Sequence, residues 1–249
     1  MAEMTESGLP RAVAIGWGML ADPQNGPRRG LSHEVIVAKA IEIADEHGIA
    51  ALTMGRLAKE LGFTTMSLYR YVANKDELLL LMIGSESVLP QKWPKIRSDW
   101  RESLRDWAHV MRDVCRAHPW WLDVPRGPTS VLMPASARIA DHGLQVLEPL
   151  GADDGDKTSL ILVITSYVTA FVELERDLAS QKDLSFGHDA MAELAQVITV
   201  KKYPALAPLL LAGGYVGGPE TSDVGAGVDA EFEHGLDILI AGLAAKYGA

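Results

Sequence analysis

The stretch from Thr53 to Glu77, TMGRLAKELGFTTMSLYRYVANKDE, constrains this chain more than any other. Thr53 stands at a helix start, its hydroxyl placed to accept one of the backbone N–H groups that a first turn leaves unpaired. Leu57, Ala58 and Leu61 follow on one face at helical spacing. Gly62 ends the helix, because a residue without Cβ takes the left-handed C-terminal conformation without steric penalty. Thr64 or Thr65 caps a second helix. Its buried side is Leu68 and Val72, and its outward side is Thr65, Met66, Ser67, Tyr69, Arg70 and Tyr71. Asn74 caps a third helix, with Asp76 and Glu77 in the first turn, where carboxylates suit the helix dipole. Two helices about a glycine turn, the second showing polar and aromatic side chains outward, make a helix-turn-helix of the kind that reads DNA.

Within this stretch, LAKELGFTTMSLYRYVANKDELL resembles the DNA-binding segment of the TetR family, the tetracycline-repressor-like regulators. The L-A-x-x-L-G turn, the L-Y-x-Y segment and the N-K-x-x-L-L helix start occur together and in register. The resemblance implies an all-α protein: an N-terminal three-helix helix-turn-helix DNA-binding domain and a larger helical domain for ligand binding and dimerisation. Phe171 to Ala179 and Phe232 to Leu243 resemble parts of the tetracycline-repressor type of C-terminal domain. In that family two helices from each subunit form a four-helix dimer interface. Asp156–Leu178 and Asp229–Lys246 are the candidates here, the alternative being that both pack inside a monomer core.

Roles follow from chemistry and from the resemblance. A recognition helix lies in the major groove with its N-terminal side chains near base edges, which places Thr65, Met66 and Ser67 there. Hydroxyls donate or accept, and a methionine contacts a thymine methyl. Arg70 is suited to a guanine, bidentately, or to a phosphate. Thr53 and Arg56 are placed to clamp a phosphate with a hydroxyl, backbone N–H groups and charge. Tyr69 and Tyr71 match family positions that contact backbone or bases, and Lys75 matches a phosphate-contacting lysine. In the tetracycline repressor itself an arginine of the first helix reads a base. Gly55 holds that position here, so the operator sequence does not carry over.

Around this motif we read three regions: a flexible tail at 1–29, the DNA-binding domain at 30–90, and the helical effector-binding and dimerisation domain at 91–249. The tail carries Pro10, Pro23 and Pro27 and shows no usable period. Arg28 and Arg29 are either an arm for the minor groove or ordinary solvated charge. Ser32 to His47 is a helix capped by Ser32, with Ile36, Ala40, Ile43 and Ala44 as its buried stripe. A helix apolar nearly all round runs from Lys75 to about Leu89, where Pro90 and Pro94 end it. By resemblance it links the two domains.

Beyond residue 90 the chain stays helical. Trp100 to Ala117 shows Leu104, Trp107, Ala108 and Met111 on one side and Arg101, Arg105 and Arg112 on the other. The proline-broken segment HPWWLDVPRGP precedes a helix within Thr129–Leu150. Then come Asp156–Leu178, a helix near His188–Tyr203, a glycine-rich loop at 213–228, and a last helix at Asp229–Lys246. Trp107, Met111, Trp120, Trp121, Met133, His142, Tyr167 and Phe171 either line a pocket for a small apolar effector or belong to the core.

Composition sets further bounds. The formal charge of −10 argues at first against DNA, yet from Arg28 to Lys92 basic and acidic residues balance at eight each, so the acid excess lies elsewhere. Cys115 is alone, which precludes an intrachain disulfide and fits a reducing cytoplasm. The apolar run Leu160–Val172 is too short for a membrane span, and the N-terminus lacks the pattern of a signal peptide. His109, His118, His142 and His188 are not at metal-ligand spacing, and no cofactor is implied. There is no G-x-S-x-G, H-E-x-x-H or P-loop, so a helical enzyme is disfavoured. The expected function is a dimeric repressor that a small apolar molecule releases from a palindromic operator, with an activator or global regulator as the alternative.

Overall fold

The computed structural model of the protein describes residues 4–20, 30–180, 188–211 and 224–247. Among these the regular elements are helices: α1 (Arg11–Gly16), α2 (His33–His47), α3 (Met54–Leu61), α4 (Thr65–Leu68), α5 (Lys75–Gly84), α6 (Trp100–Ala117), α7 (Pro128–Val131), α8 (Pro134–Leu147), α9 (Asp154–Ser180), α10 (His188–Val197), α11 (Leu206–Leu211) and α12 (Val224–Tyr247). The fold is all-α, as expected. The chain divides into two compact units, Met1–Val172 with Gly242–Ala249, and Glu173–Ala241.

In the first unit, α2 to α5 are started by side chains that each accept the N–H three residues on. Ser32 Oγ takes that of Val35 at 3.2 Å, Thr53 Oγ1 that of Arg56 at 3.1 Å, Thr64 Oγ1 that of Ser67 at 3.3 Å, and Asn74 Oδ1 that of Glu77 at 2.9 Å. Gly62 closes α3 at φ 76°. Ile36, Leu52, Leu57, Leu68, Val72, Leu78 and Met82 are fully buried and form the core beneath these helices.

Three expectations need correction here. The stretch before residue 29, read as a mobile tail, contains α1, with Ala12, Val13, Ala14 and Ile15 all buried. Its six residues are too few to form a helix by propensity alone, so tertiary contacts hold it. Arg28 and Arg29 lie outside the described residues. The helix from Lys75 stops at Gly84 rather than near Leu89, and Ser85, in extended conformation, starts a short 3-10 turn at Glu86–Val88. Gly84, the last helical residue, has no room for a side chain: a Cβ there would stand 2.3 Å from Met133 Cε and 2.9 Å from Met133 Cβ. Arg112, expected outside with Arg101 and Arg105, is buried.

Contacts within this unit cross residue 90. Trp120 donates its indole N–H to Asp45 Oδ1 at 2.6 Å, and His118 Nδ1 donates to the same oxygen at 2.8 Å, joining the end of α2 to the 3-10 segment Pro119–Asp123. Gly143 on α8 lets α6 and α9 close in. A Cβ there would lie 2.7 Å from Trp107 Cζ2 and 2.4 Å from Ile161 Cδ1. Trp107, fully buried, donates to the Ile139 carbonyl at 3.3 Å. The start of α9 meets the end of α12, where the Tyr247 hydroxyl donates to Asp156 at 2.7 Å and Lys246 pairs with the same oxygen at 3.2 Å.

The second unit holds α10, α11, the end of α9 and most of α12. Phe232, Leu236 and Ile240 form the buried stripe of α12, and Ala207 and Leu210 are buried on α11. The last helix starts at Val224, earlier than the expected Asp229, and the expected loop at 213–228 otherwise falls on residues outside those described. α9 is longer than its most apolar run. By length and composition alone it is long and apolar enough to cross a membrane. Its face carries Leu162 at 67% exposure and also exposes Val163, Leu174 and Leu178.

Candidate nucleic-acid interface

α4 is a single tight turn of helix, preceded by its Thr64 cap and continued by a tightened turn. Tyr71 N–H returns to the Leu68 carbonyl at 2.8 Å and Val72 N–H to the same oxygen at 3.0 Å. This anchors Leu68 and Val72 in the core and leaves the N-terminal residues of the turn outside. Met66 is 73% exposed, Tyr69 47% exposed, and Thr65 and Arg70 are exposed as well. Ser67 is half-buried, and its hydroxyl is 3.0 Å from that of Thr64. Thr53 is exposed at the start of α3, its oxygen already accepting the Arg56 N–H. Lys75 is partly exposed at the first position of α5, where Asn74 fixes the turn. Among the described residues neither Arg70 nor Lys75 makes an ion pair, so both charges are open to an anion.

Arg56 differs. Its Nε donates to Glu60 Oε1 at 2.7 Å, one helical turn on, and this hydrogen bond holds the Glu60 carboxyl below its ordinary range. A phosphate would have to compete with that carboxylate. Tyr71 does not lie on the surface at all. It is 4% exposed, its ring edge-on to that of His33 at 5.5 Å. The His33 Nε2 donates to the Tyr71 carbonyl at 3.0 Å. Tyr71 stands three residues after the buried Leu68, a spacing that shares a helix face, and the turn after Leu68 brings it inward beside that residue. The exposed set is therefore Thr53, Thr65, Met66, Tyr69 and Arg70, with Ser67, Arg56 and Lys75 at its border.

The exposed residues Thr65, Met66, Tyr69 and Arg70 lead into the turn at Tyr71–Asn74, which is anchored from below. Glu77 is buried, and its carboxylate accepts the Ala73 N–H at 2.5 Å and the Arg11 guanidinium. Arg11 also donates from Nη2 to the Tyr71 carbonyl at 3.0 Å. Sequence reading missed this role of Arg11. The only signal available was an acid three residues beyond a cap, which named Glu77 but not its partner. Asn74→Ala removes the acceptor for the Glu77 N–H. It should lower stability by about 1 kcal/mol, measurable as a shift in the thermal midpoint, and an unchanged midpoint would count against the cap.

The residues expected at an effector pocket separate into different environments. Met133 is fully buried against Gly84 and lies 3.0 Å from where a Cβ on Gly16 would be, so it is packing between α1 and α5. Trp120 and Trp121 are buried, the first held by Asp45. Trp107 and Met111 are buried on α6. His142 stacks on Trp93 at 4.7 Å and donates from Nε2 to the Pro94 carbonyl at 3.1 Å. Its Nδ1 is buried with no hydrogen-bond partner among the described residues. Tyr167 and Phe171, half-buried, have ring centroids 5.3 Å apart. A separate open cleft of about 330 Å³ runs between Ser87–Pro90 and the end of α6, and includes Asp113 and His118 but none of the expected pocket residues.

Residues 36–82 match the family described as bacterial regulatory proteins, tetR family, and residues 93–247 match the tetracyclin repressor-like C-terminal domain. The chain is 32% identical over 241 residues to the HTH-type transcriptional repressor DrrR1 of Streptomyces coeruleorubidus, covering 94% of this chain and 87% of that protein. It is 28% identical to the tetracycline repressor protein class C of Escherichia coli, covering 86% and 90%. Among solved structures it is similar to ActR, a TetR family protein of Streptomyces coelicolor, in complex with (S)-DNPA. The TM-score is 0.68 at 27% identity, covering 88% of this chain and 99% of that one. ActR in complex with actinorhodin gives 0.67 at 28%.

Proposed function

Because this chain belongs to the tetR family of bacterial regulatory proteins, we propose that it is a ligand-responsive, homodimeric transcriptional repressor of the cytoplasm, with residues 30–90 as its DNA-binding domain and 91–249 as its effector-binding and dimerisation domain. The observation that carries this reading is the helix-turn-helix surface itself. Exposed Thr65, Met66 and Tyr69 are flanked by Arg70 and Lys75, cations that make no ion pair among the described residues. Base-edge contacts need the first set and phosphates need the second.

The dimer is supported by α9 and α12. Each presents an apolar face that the protomer leaves open, with Leu162 and Val163 on the first and Ile238, at 59% exposure, on the second. Exposed apolar residues on these helices are what a covering partner would bury. A second copy of the chain is the covering we assign, since a two-fold operator needs two reading heads about one DNA turn apart. The effector reading is supported by His142, whose buried Nδ1 is an acceptor awaiting a donor. It is supported also by ActR, whose structures hold (S)-DNPA and actinorhodin. A ligand that favours one dimer geometry over another needs only about 1–3 kcal/mol of coupling to change operator affinity substantially.

The test is binding of the purified protein to the DNA upstream of its own gene, by mobility shift across a salt series. Tight, sequence-selective binding that weakens steeply with salt is expected. Binding that is indifferent to sequence on every fragment of the genome would overturn the reading.

A further inference from the structure

Helix α1 precedes both stretches that match the family, 36–82 and 93–247, yet it is built into the protein at both of its ends. At its start, Arg11 reaches under the recognition turn and divides its guanidinium between the Glu77 carboxylate and the Tyr71 carbonyl. Glu77 is 7% exposed and needs that cation, because a buried carboxylate is costly unless paired. The same carboxylate holds the Ala73 N–H. The backbone from Tyr71 to Asn74, which sets where Arg70 and Lys75 stand, is thus fastened to α1. At its other end, Gly16 packs where a Cβ would lie 3.0 Å from Met133 Cε and 3.2 Å from Pro134 Cδ. One residue further, Trp17 donates its indole N–H to the Leu132 carbonyl at 2.8 Å. Between these ends Ala12 to Ile15 are buried.

We infer that α1 is a strap that holds the recognition turn in its reading geometry and ties that turn to the α7–α8 corner, with Arg11 as a positioning residue for DNA binding. The inference rests on the reading of α4 as the DNA-recognition element. A motion at Leu132–Pro134 would reach the turn through α1 as well as through α5, and Met133, between Gly16 and Gly84, touches both routes.

The experiment compares the full-length protein with Arg11→Ala, Arg11→Lys and Trp17→Phe. It reads amide hydrogen exchange at Ala73 and Glu77 and, separately, affinity for the upstream DNA. Removing a hydrogen bond to a charged group is worth about a tenfold change, so Arg11→Ala should speed exchange at both amides by about that factor and weaken DNA binding. Arg11→Lys keeps the charge but not the fork, and should fall between Arg11→Ala and wild type. Trp17→Phe keeps an aromatic ring but removes the indole N–H that donates to Leu132. Faster exchange at Ala73, far from the change, is the response that a merely local role would not give. Unchanged exchange at Ala73 and Glu77 in all three variants would overturn the strap, and so would a Trp17→Phe effect confined to the neighbourhood of Leu132. If wild type fails to bind the DNA, it is the operator assignment that fails, and the exchange comparison still decides the strap.

Discussion

Replacing Arg70 and Lys75 together by glutamate should abolish operator binding at physiological salt while leaving the fold intact. An arginine that meets a base edge is worth about 1–3 kcal/mol of binding, and losing a phosphate-contacting lysine weakens binding to every sequence, before the added repulsion from two new carboxylates is counted. Neither side chain makes an ion pair among the described residues, and both lie at the surface. The thermal midpoint should therefore move little. The salt series carries the finer information: the slope of log affinity against log salt should flatten by about one unit for each phosphate no longer neutralised. A double variant that binds as wild type does, with the same slope, would mean that DNA is held by another face.

Gly84→Ala should destabilise the protein although it adds a single methyl group. That methyl has no room, since its carbon would stand 2.9 Å from Met133 Cβ, an atom fixed to the backbone, as well as 2.3 Å from the more mobile Cε. Met133 is itself fully buried and flanked on another side by Gly16, so it has little room to turn away. Overpacking of this kind costs about 1–3 kcal/mol, which lowers the midpoint of a chain this size by roughly 2–4 °C per kcal/mol. The companion variant is Gly84→Ala with Met133→Ala. If the clash is the cause, the double substitution should be less destabilising than the two single effects added together. Strict additivity would show that Gly84 and Met133 do not press on each other. Because α5 begins at Lys75 and ends at Gly84, the same variant should also alter operator affinity.

The helix starts were legible because capping is local. Ser32, Thr53, Thr64 and Asn74 each satisfy an N–H only three residues away, and such a bond can be read from a short window. The left-handed turn at Gly62 was legible for the same reason. What escaped is fixed by distant residues. α1 is held by Glu77 and Leu132, 66 and 115 residues from their partners in it and beside it. α5 ends at Gly84, six residues before Pro90, where the packing of the distant Met133 leaves no room for a side chain. Tyr71, by contrast, is buried although the sequence reading places it outward: it follows the buried Leu68 by three residues and so shares its face. The C-terminal aromatics left pocket and core open as readings, and Trp107, Trp120 and Trp121 are buried. Of the residues expected at that site, only His142 presents a buried polar atom without a partner among the described residues.

The contact between Trp17 and Leu132 spans 115 residues, and this sets an order of events during synthesis. At about 5–20 residues per second the ribosome needs roughly 6–23 s to travel from one to the other. In the later part of that interval, once Gly84 has been added, the helix-turn-helix can be complete, whereas Ala12 to Ile15 have only part of their burial site. A nascent or truncated chain that ends between Gly84 and Leu132 therefore carries a complete helix-turn-helix and an apolar segment with no corner to dock against. Fragments made to isolate the DNA-binding head should accordingly expose a sticky N-terminus, and either removing residues 4–20 or extending the fragment through α8 should restore their solubility.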